Sequence, residues 1–453
     1  MNPENTIAER WNNRALFSLL WPLIIEQMLV VTVGAVDTIM VSSVGEYAVS
    51  AVNIIDNINN LLIIAFTALA TGGAVVVSQY IGRRDHEKSR LAAKQLLYCV
   101  TLISLLIMMI ALLLHRPIIR LFYGKIEQDV MDAAAIYFLI TGLSYPFLAL
   151  FNANAALFRA VGNSKFTMQM ALLINIMHIG GNAWLIYGLK MGVMGAALST
   201  LFCRMIMAVI TTAVLNRNVA SPISLYGLFK IRLVRPMIKN ILNVGIPSGM
   251  ESSMFMVGKL LTQRIFPVFG TAAIAANAIT SVINSFSFMS GNAFGIALLT
   301  VVGQCVGARD YAAAKKQTFK IMKLAYITLF ILNALTYIFM DPLVSMFKLS
   351  PEAHNLAKTF LRVHCISMTF GWAMSFALPN ALRAAGDARF VMIAATISMW
   401  TVRVSAAYLF TFALGMGPLG VWLAMGADFV VRGVFYGVRW AKGAWQKKQV
   451  ITD

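Results

Sequence analysis

The sequence predicts an all-α polytopic membrane protein, with twelve transmembrane helices in two six-helix bundles related by a pseudo-two-fold axis along the membrane normal. Three observations predict it. Hydrophobic residues make up 59% of the 453 residues and charged residues only 12%, far more apolar surface than a water-soluble domain uses. Apolar runs of about 20 residues, long enough to cross a bilayer, recur from end to end. The second half of the chain repeats the first. The short alternating strands of a transmembrane barrel have no counterpart in the pattern.

The spans fall near 15–44, 53–80, 94–115, 130–157, 166–188, 192–215, 241–267, 273–305, 319–340, 354–381, 389–413 and 418–440. The polar opening stretch MNPENTIAERWNNR has no cleavage site of the signal-peptide kind, so the first span is expected to stay. Loops after even-numbered spans carry most cations: Arg83, Arg84, Lys88 and Arg90; Arg159 and Lys165; Arg217 to Lys239; Arg309, Lys315 and Lys316; Arg383 and Arg389; Lys442, Lys447 and Lys448. Loops after odd-numbered spans are poorer, with Arg116, Arg120, Lys125, Lys190 and Lys348. The asymmetry places both termini in the cytoplasm. It also explains the net charge of +19 as membrane topology, so no nucleic-acid partner is expected. The four cysteines all lie in apolar segments, with neither metal-type spacing nor a disulfide framework.

The repeat is visible residue by residue. Pro22, Glu26, Gly45, Gln79 and Gly82 recur 225 positions later as Pro247, Glu251, Gly270, Gln304 and Gly307. SQYIGRRD answers GQCVGARD, FRAVGNSKF answers LRAAGDARF at a spacing of 224, and GVMGAA answers GPLGVW. An even number of spans per half inserts both halves the same way up, as in parallel-repeat transporters. The expected domains are an N-terminal lobe over 1–216, a basic cytoplasmic linker over 217–240 and a C-terminal lobe over 241–453. A cleft reaching the midplane between such lobes suits alternating access.

Charges inside the spans carry the functional reading. In WPLIIEQMLVVTVGAVDTIMV, Glu26 and Asp37 are eleven residues apart, so they differ by only about 20° around the helix and lie roughly 16 Å apart along it. That shared face must avoid lipid. In span five, Asn175, His178 and Asn182 form one stripe, which serves a site or helix–helix hydrogen bonding equally well. Asn53, Asp56, Asn57 and Asn60 line span two near its outer end, where the structural reading is stronger. Asn152 and Asn154 are cavity candidates in span four. In the second half, Glu251 is followed by Lys259, which needs a partner or water. Asp428 and Arg432 stand i, i+4 and are expected to pair with each other. His364 and Arg403 have no assigned role. No phosphate-binding glycine loop, paired metal-binding acids or nucleophile elbow appears, so neither ATP-driven nor enzymatic chemistry is expected.

The twelve spans in two homologous sixes, with PLIIEQMLVVTVGAVDTIMVSSVG, SQYIGRRD, RAVGNSK and RAAGDAR, closely resemble the multidrug and toxic compound extrusion family over essentially the whole chain. The resemblance implies a cation-coupled antiporter that exports organic, often cationic and amphipathic, compounds against an inward Na⁺ or H⁺ gradient. It implies no cofactor, a monomer among membrane lipids, and residence in the inner or plasma membrane. Asp37 matches the family's first-span aspartate, which holds the proton or Na⁺. Asn175 or His178, Asn182 and Thr200 match its polar partners, and Glu26 and Gln27 match positions lining the N-lobe substrate cavity, to which Asn154 and Glu251 are added. Three departures leave the coupling ion open: Asn182 where some branches carry an aspartate, His178 where Asn is frequent, and Phe255 one turn beyond Glu251 where another branch has an acid, with no acid in span ten. The competing readings are a lipid-linked saccharide flippase of the same superfamily and an integral-membrane transferase. The first favours a cationic cleft and the second needs paired acids.

Overall fold

Every regular element found is helical, and helix boundaries follow from the repeated motifs. The structure is a computed structural model and describes residues 10–124, 126–228, 230–448 and 450–451; Lys125 and residues 1–9, used above for topology, lie outside the described residues. In chain order α1 is Asn13–Ser42, α2 Glu46–Gly82 and α3 His86–Tyr123. Helix α4 is a pair, Gln128–Leu143 and Tyr145–Ala160, bent by 48°. Helix α5 is Ser164–Asn182, prolonged by wide i→i+5 turns over Ala183–Gly188, and α6 is Gly192–Arg217. In the second half, α7 is Arg235–Gln263, α8 Gly270–Gly307 and α9 Tyr311–Ile338. Helix α10 runs from Pro351–Ser367 through wide turns at Met368–Ala377 into Leu378–Ala384. Helix α11 covers Ala388–Ala413, and α12 is Leu419–Ala441.

Among the described residues, nine helices are long and apolar enough to cross a bilayer alone, ten with the bent pair. The apolar run Arg235–Gly307 contains both α7 and α8. The twelfth, α10, falls short because its first half, PEAHNLAKTFLRVHCIS, is polar. Leu102, Leu106, Met109 and Leu113 on α3 and Phe319, Phe330 and Ile338 on α9 are exposed, as lipid-facing positions should be.

The repeated motifs are stop–start signals. Asp85 and Asp310 each close the N-terminus of the next helix by accepting a bond from the backbone N–H three residues on, at 2.9 and 2.8 Å. Each follows an arginine in left-handed conformation, Arg84 at φ 62° and Arg309 at φ 61°. The glycines of RAVGN and RAAGD, Gly162 and Gly386, stand at φ 89° and 95°, where a Cβ is disfavoured. The change of spacing from 224 to 225 coincides with a difference in helix winding. Helix α11 has two stretches of wide turns, Ser398–Val404 and Leu409–Ala413, whereas α5 has one. An i→i+5 turn absorbs one extra residue without breaking the helix.

The chain forms two compact units, and their limits differ from the expected lobes. One is Met28–Gly249; the other is Met250 onward together with the chain up to Gln27. The boundary lies inside α1 and α7, just past the repeat-related Pro22 and Pro247. In the second unit, Leu16, Leu19, Leu20 and Leu23 share a buried cluster with Phe294, Leu298 and Val302 of α8. In the first, α7 touches α2 through glycines: a Cβ on Gly72 would stand 2.3 Å from the Ile241 carbonyl oxygen and 2.8 Å from the Gly245 nitrogen. Both obstacles are backbone. Gly72→Ala is therefore expected to destabilise by about 2 kcal/mol or more, read as a lowered unfolding temperature in detergent. Gly34→Ala, with no atom within 4 Å of the added methyl, should leave it unchanged.

The linker docks on α3 within the first unit. Arg90 donates to the Ser221 and Ala220 carbonyls at 2.9 and 3.2 Å, and Tyr98 to Leu228 at 2.6 Å. The fully buried Gln95 clamps it twice, donating to Arg232 O at 2.7 Å and accepting from Val234 N at 2.9 Å.

Candidate functional site

The first unit gathers the polar residues of α1, α5 and α6. The i, i+3, i+7 stripe of α5 turns inward, leaving Asn175 and His178 8% exposed and Asn182 fully buried. Asn182 donates its amide to Asp37 Oδ1. His178 Nδ1 stands 3.3 Å from the same oxygen, while its Nε2 lies 3.0 Å from Thr200 Oγ1. Asn175 donates to the Leu29 carbonyl at 3.2 Å, joining α5 to α1. The Asp37 side chain remains 31% exposed, and among the described residues no lysine or arginine is ion-paired with it.

The hydrogens of this cluster have few ways to be arranged. Thr200 Oγ1 is 3.0 Å from the Ala196 carbonyl, an acceptor only, so its one proton goes there. His178 Nε2 must then donate to Thr200. In a neutral imidazole Nδ1 would be bare, with its lone pair facing the Asp37 carboxylate. The contact becomes favourable when one further proton lies between Nδ1 and Oδ1, or when Thr200 turns to donate to Nε2 and lets Nδ1–H point at Asp37. Asn182 Oδ1 is buried with no hydrogen-bond partner, an oxygen left over beside the carboxylate.

Next to this cluster lies a set built on Asp56, of which the sequence reading named the acid but not its partners Asn59, Tyr137, Tyr145 and Arg204. Asp56 accepts from Asn59 at 3.5 Å and from Tyr137 at 3.4 Å, and Tyr145 donates to Asn59 at 2.8 Å. Arg204 of α6 donates to Ser144 at 2.7 Å and lies within electrostatic range of both Asp37 and Asp56. An arginine in the middle of LFCRMIM was the available signal, by the rule that singled out Asp37.

Two expected cavity residues stand elsewhere. Asn154 is fully buried and donates to Thr211 at 3.0 Å and Thr212 at 2.8 Å, joining α4 to α6. Glu251 is ion-paired with Arg383 at 2.5 Å, both about one-tenth exposed, and Arg383 also donates to Asn380 at 2.7 Å. That arginine read as a loop cation; it is instead the partner that allows an acid at this depth. Glu26 is 8% exposed and Gln27 half-buried, both in the second unit with the first part of α1.

The second unit also contains the expected pair: Arg432 donates to both oxygens of Asp428, at 3.0 and 2.8 Å, and Ser398 adds a bond at 2.6 Å. Arg403, in the wide turns of α11, lies 3.8 Å from the same carboxylate. The guanidiniums of Arg403 and Arg432 lie 5.2 and 5.4 Å from the Phe255 ring centroid. His364 is buried edge-on to Trp422 with ring centroids 5.6 Å apart, and neither ring nitrogen has a partner.

Comparison with known proteins fits this arrangement. The MatE family model matches residues 22–184 and 247–409, the two halves of the repeat. The chain is 30% identical to the uncharacterized transporter YisQ of Bacillus subtilis, over 96% of this chain and 95% of that one. It is 24% identical to a probable multidrug resistance protein NorM of Thermotoga maritima, over 97% and 94%. Its fold matches that of a MOP superfamily transporter from Pyrococcus furiosus with a TM-score of 0.89 at 19% identity, covering 96% and 97% of the two chains. That protein is described by a binding pocket of reverse polarity that suggests a different function. An outward-facing multidrug resistance MATE family transporter matches with the same TM-score and identity, over 96% of each chain. The family match, the transporter relative and the apolar helices define a multi-pass membrane transporter. The chain belongs to the MatE family.

Proposed function

We propose that this protein exports organic, cationic and amphipathic compounds by proton antiport, through alternating access. It acts as a monomer of the inner or plasma membrane with both termini cytoplasmic. The observation that carries the proposal is the facing pair His178 Nδ1 and Asp37 Oδ1, whose hydrogen bonds to Thr200 and Asn182 leave a place for one exchangeable proton. Asp37 is the charge that cargo and proton neutralise in turn. Asn182 holds one carboxylate oxygen in place, and Thr200 fixes the imidazole. A ligand shifts the equilibrium between two states only by its differential affinity for them, so competition for one carboxylate obliges exchange. The multidrug resistance names of relatives support the cargo class. The Na⁺ reading keeps one specific support, the unpartnered oxygen of Asn182 beside Asp37, which suits a hard cation.

The test is efflux of rhodamine 123, a cationic methyl ester, from vesicles containing the purified chain. A pH gradient at symmetric Na⁺ is expected to drive it, and a Na⁺ gradient at symmetric pH is not. Efflux on Na⁺ alone would transfer the site to Na⁺. Efflux with neither gradient rejects the antiport reading in favour of a channel, and no efflux at all leaves the flippase.

A further inference from the structure

The second unit places cations where the first places its acid. At the 225-residue spacing that aligns the first spans and the last spans of the two halves, Arg403 occupies the position of His178, and Thr262 that of Asp37. Thr262 is buried and turns its hydroxyl back to the Lys259 carbonyl. The acids nearby are already engaged, Glu251 by Arg383 at 2.5 Å and Asp428 by Arg432 and Ser398. Arg403 is only 6% exposed, yet its Nη1 has no hydrogen-bond partner and stands 3.8 Å from an oxygen already held by Arg432. A buried guanidinium donor left unsatisfied is costly unless something occupies it.

A second cation lies close. Lys259 is exposed on α7, one turn beyond Phe255, over whose ring Arg403 lies, and it is in electrostatic range of Arg403. Gly258 leaves room for the approach of α7 to α11 here, since a Cβ would stand 2.5 Å from Met399 Sδ. Wide turns at Ser398–Val404 rotate Arg403 out of ordinary α register, a local distortion that occurs often at binding sites.

We infer that Arg403 and Lys259 form a binding site for a carboxylate carried by the substrate, with Phe255 as the apolar wall beside it. Arg403 supplies planar donors, and Lys259 adds a mobile charge. Asp428 attracts Arg403 Nη1 from 3.8 Å, beyond hydrogen-bond distance, so that this donor still lacks an acceptor. The consequence for cargo rests on the transport reading: compounds bearing both a cation and a carboxylate belong to this protein's range.

The experiment measures binding, so it stands apart from the efflux assay. Fluorescence polarisation with the purified full-length chain in detergent compares rhodamine 110, which carries a free carboxylate, with rhodamine 123, its methyl ester. Benzoate is expected to displace rhodamine 110 and not rhodamine 123. Arg403→Gln should weaken rhodamine 110 by about tenfold or more and leave rhodamine 123 within about twofold, which also shows that the variant is folded. The exposed Lys259→Gln provides a second variant, expected to weaken rhodamine 110 by about two- to fivefold. The inference is overturned if the wild-type chain does not bind rhodamine 110, if benzoate has no effect, or if the two substitutions change both dyes alike. Gradient-driven efflux failing while these differences persist would reject the transport reading and leave the carboxylate site standing.

Discussion

Asp37→Asn is expected to abolish gradient-driven efflux while leaving the chain folded. Moving a two-state equilibrium from mostly one form to mostly the other requires about 10⁴-fold differential affinity of the driving ligand. Without its titratable carboxylate the site cannot supply that difference, so coupled efflux should fall at least about 100-fold. Folding is spared because the asparagine oxygen can still accept from the Asn182 amide, and His178 Nδ1–H can donate to it once Thr200 turns toward Nε2. A neutral hydrogen bond replaces a charged one, a difference of about 1 kcal/mol in stability. Purified variant and wild type should therefore give similar unfolding temperatures, with the variant inactive under an imposed pH gradient. Coupled efflux at the wild-type rate would remove Asp37 from the mechanism. His178→Gln separates the ions: proton-driven efflux should be lost with it, whereas a Na⁺ site built on Asp37 and Asn182 would continue to work.

The architecture was readable because repeated motifs and helix signals coincide. SQYIGRRD and GQCVGARD were readable as a repeat, and both copies form the same left-handed turn followed by an aspartate cap. The α5 stripe was readable as a face, since helical periodicity fixes which residues point together. It could not say what that face meets. Asn175 binds a backbone carbonyl of α1 and Asn182 an aspartate, although the two lie on one stripe. Asn154 was ambiguous for the same reason, because an asparagine in a span looks alike whether it lines a cavity or joins two helices, and here it bonds α4 to α6. Arg383 was read from its neighbourhood in sequence, at the mouth of a cytoplasmic loop. Its partner Glu251 lies 132 residues away, and long-range pairing is invisible to local pattern. The unit boundaries inside α1 and α7 were hidden too: Pro22 and Pro247 mark the place, but a proline within a helix does not say that the parts on either side pack in different cores.

Arg432→Met should be the most destabilising single change in the second unit. Asp428 has no exposed surface, and Arg432 supplies two of its hydrogen bonds. Removing one partner of a buried ion pair leaves an uncompensated charge, which costs about 3–5 kcal/mol. Ser398 contributes a single neutral donor and cannot replace the guanidinium. Arg403 can, at the cost of crossing from 3.8 Å into bonding distance and abandoning its own position over Phe255. The thermal unfolding shift is therefore expected at the lower end of that range, with rhodamine 110 affinity falling in parallel as Arg403 is diverted. Combining Arg432→Met with Asp428→Leu removes both charges and should recover much of the stability, with a double-mutant coupling above about 1 kcal/mol. If Asp428→Leu alone proves as mild as the double variant, Arg432 needs no counter-ion. The four cations Lys259, Arg383, Arg403 and Arg432 would then be balanced by something other than the two acids beside them, and the pairing scheme that frees Arg403 for a carboxylate would fail.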